Sequence, residues 1–116
     1  MKNVDEKVVE EFGVEWKKFS SITLSDLELK KAWNQYFNIF PFSALKKDSV
    51  GFDMGCGSGR WAKFVVEKVG HLNCIDPSIH ALNVAKENLK KSKNISFHNA
   101  SVGDKTLKFG SQDFGY

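Results

Sequence analysis

The residues best suited to chemistry form one short segment near the middle of the chain. An apolar run at residues 50–54 carries one acid, Asp53, and is followed by glycine at every second position, namely Gly55, Gly57 and Gly59. Because glycine has no Cβ, a backbone rich in it can approach a ligand closely. A helical pattern follows, and a helix N-terminus would point its N–H groups and positive dipole end at the same place. The segment therefore predicts a cofactor site.

A second candidate residue stands where the next strand is expected to end. Asp76 follows Gly59 along the chain and precedes Pro77. An acid at this place can accept hydrogen bonds from both hydroxyls of a ribose. The alternative is that Asp76 caps the following helix, but Ser78 already offers a side chain for that purpose. We expect Asp76 to bind a ribose.

Two further features bear on the same site. Ala100, Ser101 and Val102 follow the third expected strand, and small residues there leave room for a flat base whose edge the backbone can read. Asp53 lies within a buried strand, where an unpaired charge is costly. Its partners could be backbone N–H groups of the glycine loop or a cationic group of a ligand, so both a structural role and direct ligand contact stay open.

The pattern around these residues alternates between strand and helix. We expect strands at residues 50–54, 72–75 and 94–99 and the start of a fourth at 114–116, with helices at 60–69 and after Ser78. This order predicts parallel strands with right-handed crossovers and helices on the sheet faces. The fold class is therefore a doubly wound, mostly parallel, Rossmann-like α/β sheet of three to four strands. Such sheets normally have more strands, so we expect an N-terminal portion of a longer protein.

The first 47 residues differ from the rest, since residues 1–45 hold eight of the fifteen aromatic side chains. We expect a short helix at residues 5–12, and a second one that starts at Ser25 or Asp26 and ends before Pro41. The domain prediction is thus a helical lid at residues 1–47 and a cofactor-binding core at 48–116. Aromatic residues at helical spacing usually form core. The alternative is that some of them shape a substrate pocket or contact a cation: Trp16, Trp33, Tyr36 and Phe40.

Composition excludes several other classes of protein. The 116 residues carry a net charge of +3, and the lysine pairs are spread along the chain, so we expect solvated faces and no nucleic-acid surface. No apolar run is long enough to span a bilayer, and the charged N-terminus lacks a secretory signal, which together predict a cytoplasmic protein without membrane contact. Cys56 and Cys74 lack metal-ligand spacing, so we expect free thiols and no metal.

Taken together, these motifs resemble those of the class I S-adenosylmethionine-dependent methyltransferases. Residues 52–62 resemble the family's first motif nearly letter for letter, residues 75–78 its second, and residues 107–114 the stretch that leads into its fourth strand. The resemblance covers residues 48–116, and the aromatic N-terminal part is similar to the helical lid of many members. It implies S-adenosylmethionine as cofactor and methyl transfer by in-line displacement to an acceptor, for which a small molecule is favoured.

The resemblance also implies roles for individual residues. Asp53 and the glycine loop would surround the methionine part of the cofactor, and the loop contributes Gly55, Cys56, Gly57 and Gly59. Asp76 would hold the ribose, while Pro77 and the segment Ala100, Ser101 and Val102 would flank the adenine. Ser101 stands where many members place an acid, and Asp104 could take over that contact. No catalytic residue is required, because the cofactor supplies the activated carbon. None of the three histidines is expected to act as a base: His71, His80 and His98.

Two other readings stay open at the level of sequence. Gly57, Gly59 and Ala62 fit a dinucleotide fingerprint with Asp76 at a suitable distance, which would make the chain a fragment of an NAD(P)-binding oxidoreductase. The acid Asp53, the additional Gly55 and the lid weigh against this. A cofactor-binding module without catalysis is the third reading. In each case the incomplete sheet would leave an edge open to self-association.

Overall fold

The computed structural model describes residues 5–11 and 26–116, and the elements follow the predicted order. The helices are α1 (residues 6–11), α2 (Asp26–Tyr36), α3 (Ala62–Val65) and α4 (Ile79–Asn88). The strands are β1 (Val50–Met54), β2 (His71–Asp76), β3 (Ile95–Asn99) and β4 (Phe114–Gly115). Short 3-10 turns lie at Phe42–Ala44 and Val66–Lys68. The predictions for Phe12, Trp16 and Ser25 fall outside the described residues.

All four strands form one parallel sheet in the order β3-β2-β1-β4. In the register of the sheet, Asp53 lies beside Cys74, and Asp76 lies beside Asn99. The carboxyl ends of β1, β2 and β3 therefore meet at one edge of the sheet, which is where open parallel sheets bind ligands. The predicted fold class, a Rossmann-like parallel sheet with flanking helices, is confirmed.

The helix after the glycine loop is shorter than the prediction for residues 60–69. Helix α3 has four residues, continues as the 3-10 turn Val66–Lys68, and ends at Val69 in an extended conformation. The β-branched Val65 and Val66 restrict side-chain rotamers against the preceding turn, and no side chain caps the first turn. Packing holds this segment instead, because Ala62, Phe64 and both valines are buried.

The main hydrophobic cluster lies on one face of the sheet. Leu72 and Cys74 of β2 are fully buried there with Val65 of the α3 segment and Leu82 of α4. Two aromatic residues belong to the same cluster, Trp33 of α2 and Phe37, which directly follows that helix. The core interpretation of the aromatic pattern therefore applies to Trp33 and Phe37. Tyr36, in contrast, is 68% exposed and stacks on Trp61 at 5.3 Å between ring centroids.

The pair β1 and β4 is held by two reciprocal aromatic–glycine contacts. Gly51 lies beside Phe114 in the register, and a Cβ added to Gly51 would lie 2.2 Å from the Phe114 ring. Likewise, a Cβ added to Gly115 would lie 2.2 Å from the Phe52 ring. The far end of each ring thus covers the neighbouring glycine. The two rings lie on opposite faces of the sheet, since alternate residues of a strand face opposite sides.

These contacts predict that Gly51→Ala destabilises the protein by about 1–3 kcal/mol, the range typical of overpacking. Urea unfolding of the variant measures the loss. Repeating the substitution in a Phe114→Ala background removes the ring that the new methyl group would meet, so the cost of Gly51→Ala should largely disappear there. An equal cost in both backgrounds would show that the ring does not determine the choice of glycine.

Candidate cofactor site

The glycine loop follows β1 and turns the chain towards α3. Gly55, Gly57 and Gly59 all have positive φ angles, of 75°, 56° and 79°. This conformation is unfavourable for residues with a Cβ, so the sequence has glycine where the turn requires it. At Gly59 there is also no space for a side chain, because an added Cβ would lie 2.6 Å from Cδ1 of Leu89, the residue that follows α4. Gly59 therefore allows the loop to pack closely against that helix.

The N–H groups of the loop are largely used within the protein. Gly55 and Cys56 both donate to the Ile75 carbonyl, at 2.7 and 3.0 Å, and Gly59 donates to the Cys56 carbonyl at 3.0 Å. Gly57 donates to Asp76 Oδ2 at 3.0 Å. The structure thus differs from the expectation that free N–H groups and a helix dipole point at the ligand, since β2 runs close enough to accept these bonds. The loop provides a fixed shape and space instead.

Asp76 connects three elements of the site. Its carboxylate is buried and accepts from Gly57 N through Oδ2 and from Ser78 N through Oδ1, at 3.0 and 2.8 Å. Ser78 caps α4 by accepting from Ala81 N at 3.2 Å. The two sequence-based alternatives are therefore compatible, because each carboxylate oxygen has a second lone pair after its backbone bond. Asp76 stabilises the start of α4, and its carboxylate can still accept hydrogen bonds from a ligand.

The end of β3 is attached to the same residue. Ala100 N donates to the Asp76 carbonyl at 3.2 Å, and the Asn99 side-chain amide donates to the carbonyls of Asp76 and Pro77 at 3.1 and 3.0 Å. Ala100 and Ser101 are buried, whereas Val102 is 74% exposed. Asn99 was not among the predicted site residues, and no local sequence signal distinguishes it from other strand-end asparagines.

A cavity of about 280 Å³ opens between the strand ends and the loop that joins β3 to β4. Met54 and Ile75 form its floor, and Ser101 and Asp104 lie along its side. Asp104 Oδ2 accepts from Ser101 N at 2.9 Å. Asp104 is therefore held next to Ser101.

Asp53 lies beneath the glycine loop as a buried carboxyl group with a raised pKa. It is only 4% exposed, and within the described part of the chain its Oδ2 has no hydrogen-bond partner. Burial raises the pKa of Asp53 to about 7; the nearby Tyr116 hydroxyl lowers this pKa, and the charge of Asp76 raises it further. The Tyr116 hydroxyl is also buried, and the Asp53 carboxyl is the polar group that it acts on. Sequence reasoning singled out Asp53 but missed Tyr116.

The remaining candidates from the sequence are the cysteines and the histidines. Both cysteines are buried free thiols, and the neighbouring Cys74 together with burial raises the pKa of Cys56. Residues 5–11 and 26–116 contain no group of three or more side chains that could hold a metal ion. His71 pairs with Ser96 Oγ at 2.8 Å, and His98 pairs with Asn73 Oδ1 at 3.0 Å. Burial and His71 lower the pKa of His98.

The class of protein follows from the fold and these motifs together with family comparison. The model of the methyltransferase domain family matches residues 52–116, which is more than half of the chain. The chain therefore belongs to that family. A comparison with curated proteins gave no match.

Solved structures show the same fold at low sequence identity. Phosphoethanolamine N-methyltransferase 1 of Haemonchus contortus, with phosphoethanolamine and S-adenosylhomocysteine bound, is 16% identical at a TM-score of 0.69 over 97% of this chain and 25% of its own. Geranyl diphosphate C-methyltransferase of Streptomyces coelicolor is 12% identical at 0.63, over 73% and 32%. A SAM-dependent methyltransferase of Aquifex aeolicus is 21% identical at 0.58, over 80% and 56%. The chain thus spans between a quarter and about half of these proteins.

The described helices were also compared with the requirements of a membrane span. None of them is both long enough and apolar enough to cross a bilayer.

The raised pKa of Asp53 predicts how stability changes with pH. The folded value of about 7 lies above the ordinary 3.8, so the contribution of the neutral carboxyl is complete below about pH 4 and is lost as pH rises through about 7. We expect Asp53→Asn, which stays neutral, to be more stable than the wild type at pH 8 by about 4 kcal/mol, with the difference shrinking towards pH 4. Urea unfolding across this range measures it. A difference in unfolding free energy between the two proteins that does not change with pH would contradict the prediction.

Proposed function

We propose that the chain is the N-terminal portion of a class I methyltransferase that binds S-adenosylmethionine at the carboxyl edge of its sheet and transfers the methyl group to an acceptor. One observation carries the proposal. The glycine loop, Asp76 and the end of β3 converge at one edge, and the Asp76 carboxylate and carbonyl hold all three together. The solved relatives are longer than this chain, so methyl transfer is proposed and not shown.

The ribose is assigned to Asp76. Both of its carboxylate oxygens are held by backbone N–H groups and keep a lone pair each, which suits two adjacent hydroxyl groups. Because the backbone bonds fix the carboxylate before a ligand arrives, little side-chain freedom would be lost on binding.

The methionine part is assigned to the loop and to Asp53. Asp53 has an unpaired buried oxygen that a cationic group would satisfy, and the loop gives shape and room at Gly55, Cys56, Gly57 and Gly59. A Cβ on Gly55 would meet no atom within 4 Å, so there is open space beside this residue. These features fit a ligand with an ammonium group.

The adenine is assigned to the neighbourhood of Pro77, Ala100, Ser101 and Val102. The cavity of about 280 Å³ beside Ser101 offers room for a flat ring over the side chains of Met54 and Ile75. Asp104 lines the same cavity, so its carboxylate is the candidate partner for the exocyclic amine of the base.

The cofactor would supply an activated methyl carbon, and the residues of this chain bind it, orient it and exclude water. No catalytic residue is named, because a base is needed only where the acceptor atom holds its proton at neutral pH. We propose a small molecule as the acceptor of the methyl group. The solved neighbours with this fold are named for different acceptors, phosphoethanolamine and geranyl diphosphate, so the shared fold does not select one.

The geometry favours this cofactor over a nicotinamide dinucleotide. A pyrophosphate is normally bound by free N–H groups at the start of the helix that follows the glycine loop. Here the N–H groups of Gly55, Gly57 and Gly59 donate within the protein, and α3 has only four residues. A ligand whose tail carries a cation suits the buried Asp53 better than one that carries two phosphates.

The proposal also covers the role of the N-terminal segment, self-association and the cellular compartment. Residues 1–47 act as a helical lid, and side chains between Leu29 and Leu45 pack on the core. Self-association of the 116-residue chain through the sheet edge at β4 is part of the proposal. The two free thiols are consistent with a reducing cytoplasm.

Calorimetry with S-adenosylhomocysteine tests the ribose assignment. We expect Asp76→Asn to weaken binding by about 2 kcal/mol, roughly thirty-fold, because charge-assisted hydrogen bonds to the ribose are lost. Asp48→Asn removes an exposed carboxylate before the amino end of β1 and is the matched control, with unchanged affinity expected. The unfolding free energy is measured in parallel, since the new amide would also face the N–H of Gly57 or Ser78. Unchanged binding in a folded Asp76→Asn protein would remove Asp76 from the site.

A further inference from the structure

Two asparagines bracket strand β3, and each uses its side-chain amide to join two backbone carbonyls of a neighbouring segment. Asn94, directly before β3, donates to two carbonyls of the segment that follows α3, at 2.9 and 3.0 Å. Asn99, the last residue of β3, donates to the carbonyls of Asp76 and Pro77 at 3.1 and 3.0 Å. The first bridge lies at the amino end of the strand. The second lies at the carboxyl edge, within the candidate cofactor site.

The peptide group between Pro77 and Ser78 connects Asn99 to the carboxylate of Asp76. Its carbonyl accepts from the Asn99 amide at 3.0 Å, and its N–H donates to Asp76 Oδ1 at 2.8 Å. Because a peptide group is planar, a bond that fixes the direction of the carbonyl also fixes the direction of the N–H. Asn99 therefore acts on Asp76 Oδ1 through one rigid group.

The Asn99 amide also holds the backbone of the same acid. The Asp76 carbonyl accepts from Asn99 Nδ2 and from Ala100 N, at 3.1 and 3.2 Å, and the register of the sheet places Asp76 beside Asn99. The bond to the Pro77 carbonyl is exposed to solvent, so water could replace the amide there at little cost to the fold. Water would not fix the direction of the peptide group, however, and the position of the carboxylate depends on that direction.

We propose that Asn99 is a positioning residue, which aims the Asp76 carboxylate at the two ribose hydroxyls of the cofactor through the Pro77–Ser78 peptide. The inference rests on the proposed function and extends it to a residue outside the predicted set. Two adjacent hydroxyls need two acceptor oxygens at fixed positions, since hydrogen bonds weaken steeply with misalignment. Gly57 N fixes Asp76 Oδ2 directly, and the peptide that Asn99 holds fixes Oδ1.

This role separates recognition of the ribose hydroxyls from the rest of binding. Without the Asn99 amide, the Pro77–Ser78 peptide can rotate, and Oδ1 of Asp76 loses its fixed position. Contacts with the base and the amino-acid tail do not depend on that oxygen, so they should be retained. Asn94 provides a matched control, because it makes the same kind of bridge at the other end of β3. Its loss should lower the unfolding free energy and leave ligand binding as it is.

The test compares two ligands that differ in the ribose alone. S-adenosylhomocysteine has both hydroxyls, and its 2′,3′-dideoxy analogue has neither. Calorimetry gives both affinities, and urea unfolding gives the stability of each variant. We expect Asn99→Ala to weaken S-adenosylhomocysteine about fivefold, the effect of one lost hydrogen bond, and to leave the affinity of the analogue unchanged. Asn94→Ala should change neither affinity.

A double-mutant cycle shows whether Asn99 acts through Asp76. In an Asp76→Asn background the carboxylate is absent, so Asn99→Ala should weaken S-adenosylhomocysteine less than about twofold, against about fivefold in the wild type. Asn99→Leu keeps the approximate size of the side chain without its donors and should behave like Asn99→Ala in both backgrounds. A side chain that only stabilises the strand end would weaken both ligands equally and would act independently of Asp76.

The outcomes separate this inference from the proposed function. Equal weakening of both ligands by Asn99→Ala, an unchanged affinity for S-adenosylhomocysteine, or the same loss in both backgrounds would overturn the inference, while binding by the wild type still supports the proposed function. If Asn99→Ala does not fold, Asn99→Leu decides on the same comparisons. Failure of the wild type to bind S-adenosylhomocysteine would overturn the proposed function, and the inference with it.

Discussion

The candidate site depends on the hydrogen bonds of one residue, Asp76. Its side chain holds the glycine loop through Gly57 and the start of α4 through Ser78, and its carbonyl accepts from Ala100 at the end of β3. Three segments that are distant in sequence thus each donate to a different oxygen atom of one buried residue. Because a buried N–H without an acceptor is costly, the conformations of these segments are coupled through this residue. The same atoms that would face a ribose also determine the shape of its surroundings.

The two buried carboxylates of the site illustrate how environment assigns different tasks to one chemical group. Asp76 is satisfied by backbone donors on both oxygens, whereas Asp53 has one oxygen with no partner in the described residues, and burial raises its pKa to about 7. A carboxylate that is already hydrogen-bonded is suited to neutral hydroxyl groups, and one that is buried and unsatisfied is suited to a cation. This difference between the two carboxylates is the basis on which we propose Asp76 for the ribose and Asp53 for a cationic group.

Local sequence signals predicted much of the fold, and long-range contacts account for what they missed. The strand positions, the cap at Ser78 and the placement of Asp76 depend on spacing and residue type within a few positions, which the sequence displays directly. The use of the loop N–H groups by Ile75 depends on how closely β2 approaches β1, which spacing does not reveal. Tyr116 becomes a neighbour of Asp53 only through the pairing of β4 with β1. The short α3 reflects packing that overrides helical periodicity.

The aromatic segment before β1 is part of the site's support, although the sequence marks it as a separate region. Trp33 packs against Phe64 of α3 at 5.4 Å between centroids, so α2 shares the core of the sheet. Phe37 and Phe40 then hold the Tyr116 ring beside Asp53. The backbone of Tyr116 is fixed by its bonds to Phe52 and Met54, and the packing of Phe37 and Phe40 fixes the ring. The segment is therefore part of the core that supports the strand ends.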